Sequence, residues 1–169
     1  MFRHAIVRKP CRNLGLGLTT ANLGKPDYDK AMDQHAAYID VLRSCGLEVI
    51  ILEPDERYPD STFIEDTAVV TEKMAIVTNP GAPSRKGEEV SVAAALRSFF
   101  PALESIKPPG MLEGGDVMRV GDHFFIGISQ RTNPQGADQL VQILSKFGYT
   151  ATLVSLKDVL HLKTGLAYL

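Results

Sequence analysis

Three groups of residues have the types and spacing that chemistry needs. The pair Glu65-Asp66 follows Phe63 and heads the apolar run from Thr67 to Val70. Two adjacent carboxylates beside a buried strand are costly unless something cationic meets them. A guanidinium is one such partner, because its forked N–H donors match carboxylates and the Phe63 ring offers a face to the cation. A strand-edge salt bridge or a cap would satisfy the same two acids, so both readings stand on these residues alone. The second group, Glu113-Gly114-Gly115-Asp116, again places an acid ahead of a hairpin, with two glycines that let another group approach the backbone closely. A plain turn is its alternative. In the third group, His161 opens the loop-like stretch His161-Leu162-Lys163-Thr164-Gly165, whereas His4, His35 and His123 fall on strand or helix patterns and read as structural. Arg85 and Arg131 take matching places after their hairpins, where local pairing is the ordinary outcome and a joint grip on a carboxylate the functional one.

The elements that must position these groups are readable from periodicity. A short strand over Ala5–Val7 leads into a Gly- and Leu-rich loop from Cys11 to Lys25, suited to a mobile lid. From Asp29, residues Met32, His35, Tyr38, Ile39, Leu42 and Cys45 recur at spacings of three and four, which predicts a helix ended by Gly46. A β-rich run over residues 47–52, a turn over 54–59 and a strand pair over 67–70 and 75–78 follow. The order then returns. Val92, Ala95, Leu96 and Phe99 mark a helical face, and a hairpin is expected over 116–120 and 123–128 around Gly121-Asp122. Asn133 as N-cap, Pro134 at the first helical position and the series Ala137, Leu140, Val141, Leu144 and Phe147 predict another helix, closed by Gly148 and followed by a strand over 151–156. Asp116 lies 50 residues after Asp66, and Arg131 lies 46 after Arg85. A period in that range signals a repeat architecture. The run Leu166-Ala167-Tyr168-Leu169 is expected to open another hairpin whose partner strand is absent.

Composition narrows the classes. With 169 residues, 44% hydrophobic and 22% charged, the chain reads as one globular domain. A net charge of -2 with scattered basic residues argues against a nucleic-acid partner. The N-terminal apolar run is too short for a signal peptide, and no apolar stretch is long enough to span a membrane, so a cytoplasmic protein is expected. Cys11 and Cys45 are the only cysteines, too few for a disulfide framework or a four-cysteine zinc site.

The stretches Phe63-Ile64-Glu65-Asp66, Leu112-Glu113-Gly114-Gly115-Asp116 and His161-Leu162-Lys163-Thr164-Gly165 resemble, in order and spacing, the dimethylarginine dimethylaminohydrolases, most of all the bacterial ones. So do Leu23-Gly24-Lys25-Pro26-Asp27-Tyr28, Pro54-Asp55-Glu56-Arg57, Asn79-Pro80-Gly81-Ala82 and Val120-Gly121-Asp122-His123-Phe124, which extends the likeness over essentially the whole chain. The resemblance implies the pentein fold, a five-bladed α/β propeller of ββαβ units with its active site in a central channel. Five copies need roughly 230 to 250 residues. Residues 1–169 are therefore expected to form a single propeller domain holding a little over three of five blades, with the C-terminal blades missing.

The reaction the resemblance implies is hydrolysis of methylated arginines to citrulline and methylamines. A cysteine near the C-terminus attacks the guanidinium carbon, and water resolves the covalent thiouronium. Neither Cys11 nor Cys45 takes that place, so the nucleophile is expected beyond this chain, which alone should be inactive. Residue by residue, His161 matches the general acid and base, and Glu113 its orienting partner. Glu65 and Asp66 match the guanidinium acceptors, Phe63 the channel aromatic, and Asp60 the acid that meets the substrate amino group. Arg85 and Arg131 match the carboxylate-holding arginines, and Leu18 the lid residue. No cofactor or metal is implied. The expected partner is a small methylated arginine, with neither nucleic acid nor membrane, and homo-oligomers through the incomplete propeller are allowed. An arginine deiminase or amidinotransferase, a catalytically inactive arginine-binding truncated protein, and a purely structural fragment are the alternatives.

Overall fold

The computed structural model describes residues 2–168, and the chain divides into two compact units, Met1–Ile64 and Glu65–Leu169. The first is a βαβ crossover. Strands β1 (His4–Arg8) and β2 (Glu48–Leu52) run parallel, from His4 opposite Glu48 to Arg8 opposite Leu52, with helix α1 (Tyr28–Ser44) between them. The Asp27 side chain caps α1 by accepting the Lys30 amide at 2.8 Å. Gly46, at φ +81°, ends the helix in a conformation open to glycine. Ile39 is the buried residue of α1, and Met32, His35 and Leu42 flank it half-buried. Tyr38 and Cys45, expected on the same face, are exposed. Tyr38 is turned about 100° from Ile39 toward solvent, and Cys45 lies past the last turn. The expected lid loop carries one turn of 3-10 helix at Leu14–Leu16, and its early part is pinned where the Asn13 side chain donates to the Glu56 carbonyl at 2.8 Å.

The second unit contains the motif ββαβ twice, as two separate three-stranded sheets. In the first, β3 (Ala68–Val70) and β4 (Ala75–Val77) form an antiparallel hairpin, α2 (Glu89–Leu96) crosses over, and β5 (Leu103–Ser105) returns parallel to β4. In the second, β6 (Val117–Val120) and β7 (His123–Ile128) form the hairpin, α3 (Pro134–Lys146) crosses over, and β8 (Thr150–Ser155) lies parallel to β7. Gly121, at φ +59°, opens the two-residue hairpin loop where a positive φ is needed. Asn133 caps α3 by accepting the Gly136 amide at 2.8 Å. Ala137, Leu140, Ile143 and Leu144 of α3 then pack on Ile76, Leu112, Val117, Phe124 and Ile126 to form the core.

Three further findings differ from the sequence reading. Strand β5 has no counterpart in the periodicity. Phe99 lies beyond the end of α2 and is exposed, so the face of that helix is Val92, Ala93 and Leu96. Residues 166–168 carry no strand, and Leu169 lies outside the described residues. Among the described residues, no helix is long and apolar enough to cross a membrane.

Candidate functional site

Each hairpin of the second unit is preceded by a turn of 3-10 helix that carries the acids, Ile64–Thr67 before β3 and Gly114–Asp116 before β6. The two turns meet through their acids and glycines. The Gly115 amide donates to Asp66 Oδ1 at 2.9 Å. A side chain at Gly114 would collide with the Glu65 carbonyl, and one at Gly115 would stand 2.8 Å from the His161 ring and 2.9 Å from Asp66 Oδ1. Both glycines are therefore required by close approach, as their spacing suggested.

His161 is the N-cap of a short helix, α4 (Leu162–Gly165), that lies against the second acidic turn. Its Nε2–H donates to Glu113 Oε2 at 3.0 Å. Glu113 has no exposed surface. Its Oε1 accepts the amides of Gly81 at 3.1 Å and Ala82 at 3.3 Å, and Arg131 Nη1 lies 3.3 Å from both carboxylate oxygens. Asp66, Glu113 and His161 each bring one donor atom within 4.8 Å of the others. Arg85 and Arg131 already neutralise the two carboxylates, so the donor set is that of an ion-pair cluster more than of a divalent cation site.

Arg85 is the more enclosed arginine, with its side chain 5% exposed against 18% for Arg131. Its Nη1 bonds Asp66 Oδ2 at 2.6 Å, its Nη2 bonds Glu88 at 2.8 Å, and Glu113 is 3.9 Å away. Glu88 was not singled out from the sequence. The available signal was its place three residues after Arg85, a separation at which side chains meet on a helical turn. Lys163 lies in the His161 motif, and its Nζ holds Glu65 Oε1 at 2.6 Å. Glu65 is 67% exposed, so its pair with Lys163 is a solvent-screened contact unlike the buried one below it. A cavity of 630 Å³ adjoins this pair, lined by Glu65, Lys163, Gly114, Val117, Phe124 and Tyr168 among others, but by none of Asp66, Glu113 or His161.

Burial alone would lower the His161 pKa, but the bond to Glu113 and the charges of Asp66, Asp116 and Glu113 outweigh it and raise the imidazole above its ordinary value. Burial alone would raise Glu113, and the His161 bond with the Arg131 and Arg85 charges reverses this, holding the carboxyl below its ordinary value. The two shifts agree in describing a charged pair.

The first unit has its own arrangement of the expected residues. The Leu18 amide donates to both Asp60 oxygens at 3.1 Å, and a side chain at Gly17 would come 2.5 Å from Asp60 Oδ1. Asp60 is buried, whereas the side chains of Leu18 and Phe63 are exposed. Cys11 is buried with its Sγ 3.4 Å from the Pro59 carbonyl, and Cys45 is exposed. Burial pushes the Cys11 thiol up, the direction that suppresses a thiolate. The second unit, which holds the acid and histidine cluster, contains no cysteine.

Residues 23–166 match the family model described as N,N dimethylarginine dimethylhydrolase, eukaryotic. The chain is 52% identical, over its whole length and 67% of the relative, to the N(G),N(G)-dimethylarginine dimethylaminohydrolase of Pseudomonas aeruginosa. It is 36% identical to the Streptomyces coelicolor enzyme of the same name, over 99% of this chain and 65% of that one. The Pseudomonas aeruginosa protein, solved as a cysteine-to-serine mutant complexed with citrulline, superposes with a TM-score of 0.98 at 52% identity over 99% of this chain and 66% of the other. The chain thus spans about two thirds of the length of these relatives.

Proposed function

Since the chain belongs to the N,N-dimethylarginine dimethylhydrolase family, we propose that it supplies the acid and histidine half of a hydrolase that converts methylated arginines to citrulline and methylamines. The observation that carries this reading is the cluster of buried Asp66 and Glu113 with half-buried His161, whose donor atoms lie within 4.8 Å of one another. In the proposed reaction a cysteine thiolate adds to the guanidinium carbon, forming a C–S bond. The C–N bond to the methylated nitrogen then breaks, and that nitrogen leaves as an amine carrying the proton that His161 gives up. His161 next takes a proton from water as the oxygen adds to the same carbon, and cleavage of the C–S bond returns the thiolate and, as the remaining hydroxyl proton passes to solvent, leaves citrulline. With Nε2 bonded to Glu113, Nδ1 is the nitrogen assigned to this proton traffic. The cysteine is proposed to come from the third of the relatives' length that these residues do not span, together with further ββαβ units; the second unit, free of cysteine, agrees with that.

Asp66 and Glu65 are assigned to the guanidinium N–H groups and Arg131 to the substrate carboxylate. Arg85, bonded to Asp66 and Glu88, is assigned to the same carboxylate only if a ligand draws it from those acids. Leu18, Asp60 and Phe63 of the first unit are assigned the roles that the resemblance implies. The test is release of citrulline and dimethylamine from dimethylarginine by three proteins: the 169-residue chain, the chain joined to the last third of the Pseudomonas aeruginosa relative, and the joined chain with His161→Ala. The joined chain is expected to turn over, the short chain to be silent, and the His161 variant to lose roughly a hundredfold or more. Turnover by the short chain would show that the nucleophile is Cys11 or Cys45. Ammonia from unmodified arginine, with dimethylarginine untouched, would make the protein a deiminase.

A further inference from the structure

We propose that Asp116 is a positioning residue whose single carboxylate fixes both His161 and Arg131, an inference that rests on the reading of His161 given above. Asp116 has no exposed surface. Its Oδ1 accepts the amide of Leu162, the residue directly after His161, at 3.0 Å, and so holds the first turn of α4. Its Oδ2 accepts the Ser129 hydroxyl at 2.7 Å. That same Ser129 oxygen accepts the amides of Arg131 at 2.9 Å and Thr132 at 3.1 Å. Thr132 Oγ1 in turn accepts the Glu113 amide at 3.2 Å. One carboxylate therefore sits at the junction of the three segments that carry the acid, the arginine and the histidine. Buried carboxylates are retained only where they are satisfied, and here every partner is a donor from one of those segments.

Gly127 on β7 makes room for this arrangement, since a side chain there would lie 3.1 Å from both Asp116 Oδ1 and the Leu162 side chain. The charge of Asp116 also acts on the imidazole. The groups facing His161 are Glu113 and Asp66, with Arg85 and Arg131 behind those acids, Asp116 below, and Lys163 on its own helix. Geometry and charge can be separated by substitution. Asp116→Asn keeps an oxygen for the Leu162 amide and removes the charge, whereas Asp116→Ala removes both. Ser129→Ala cuts the link to Arg131 and leaves the Leu162 contact.

The experiment is imidazole NMR titration together with amide hydrogen exchange on the 169-residue chain, with His4, His35 and His123 as internal references. In Asp116→Asn the His161 midpoint is expected to fall, while the references stay and the Leu162 amide remains protected. In Asp116→Ala the amides of Leu162, Arg131 and Thr132 are expected to exchange at least about tenfold faster, and in Ser129→Ala only those of Arg131 and Thr132. An unchanged His161 midpoint in Asp116→Asn, or acceleration confined to Leu162 in Asp116→Ala, would overturn the proposal. If Asp116→Ala does not fold, Asp116→Asn and Ser129→Ala decide it. Neither readout depends on turnover, so a joined chain that makes no citrulline while these couplings hold would sink the functional reading and leave this one standing.

Discussion

Replacing Glu113 by Gln tests whether the buried acid is the keystone of the cluster. Gln keeps an oxygen for the Gly81 and Ala82 amides, so the backbone contacts at 3.1 and 3.3 Å survive. What disappears is the charge opposite Arg131, Arg85 and His161, at 3.3, 3.9 and 3.0 Å. Removing one partner of a buried pair costs about 3–5 kcal/mol, and the retained oxygen places Glu113→Gln near the lower end, about 3 kcal/mol. For a chain of this size that lowers Tm by roughly 6–12 °C. The pH dependence carries a second signature. The Glu113 pKa is depressed in the fold, so its contribution is present above the ordinary carboxylate value and is lost as pH falls through the folded value. The His161 pKa is raised, so its contribution is complete below the ordinary imidazole value and is lost as pH rises through the folded one. The gap between wild type and variant should be widest from about pH 4.5 to 6.5, shrink above that to the part due to the arginines, and close in acid. Urea unfolding at fixed pH steps, extrapolated to water, measures it. A gap below about 1 kcal/mol throughout the pH 4.5–6.5 window would refute the reasoning.

Three further outcomes follow from single contacts. Gly115→Ala puts a methyl 2.8 Å from the His161 ring, so a loss of about 1–3 kcal/mol is expected, with the His161 midpoint drifting down toward that of a free imidazole as its bond to Glu113 is disturbed; chemical denaturation and NMR titration read both. Asn133→Ala removes the oxygen that accepts the Gly136 and Met111 amides, and thermal unfolding should register a loss of about 1–2 kcal/mol. Lys163→Met breaks the exposed pair with Glu65 and should change stability by less than about 1 kcal/mol; a larger loss in urea would mean that this pair is structural.

The legible parts of the fold were those where several local signals coincide. Helix α3 has an Asn cap, a proline at its first position, a clean apolar stripe and a terminal glycine, and it appears within a residue or two of the expected bounds. The hairpin of β6 and β7 is announced by Gly121-Asp122 between apolar runs. Strand β5 is three residues long, too short to establish a period, and exists because β4 offers it a parallel edge. Helix α4 is one turn, held by a carboxylate 46 residues away in sequence, which no local pattern encodes. The acids, arginines and histidine of the second unit could be named from their motifs. Their pairings could not, because Glu88 and Lys163 acquire meaning only when Arg85 and Glu65 are folded beside them.

Those pairings bear on how the cluster would meet the guanidinium ligand proposed above. Asp66, Glu88, Glu113 and Asp116 are four carboxylates set around the two guanidiniums of Arg85 and Arg131, so these six side chains together carry two more negative charges than positive. A proton on His161 adds a positive charge beside these acids, the direction in which its pKa is shifted. A guanidinium ligand, as proposed above, would add positive charge beside the same acids. A guanidinium entering beside Asp66 would compete for that proton's stabilisation and lower the His161 pKa, favouring proton release when the leaving nitrogen needs it. Guanidinium chloride at low millimolar concentration, set against sodium chloride at equal ionic strength, should therefore lower the His161 midpoint in this chain. An identical midpoint in both salts would show that the excess charge is balanced within the fold and recruits no ligand.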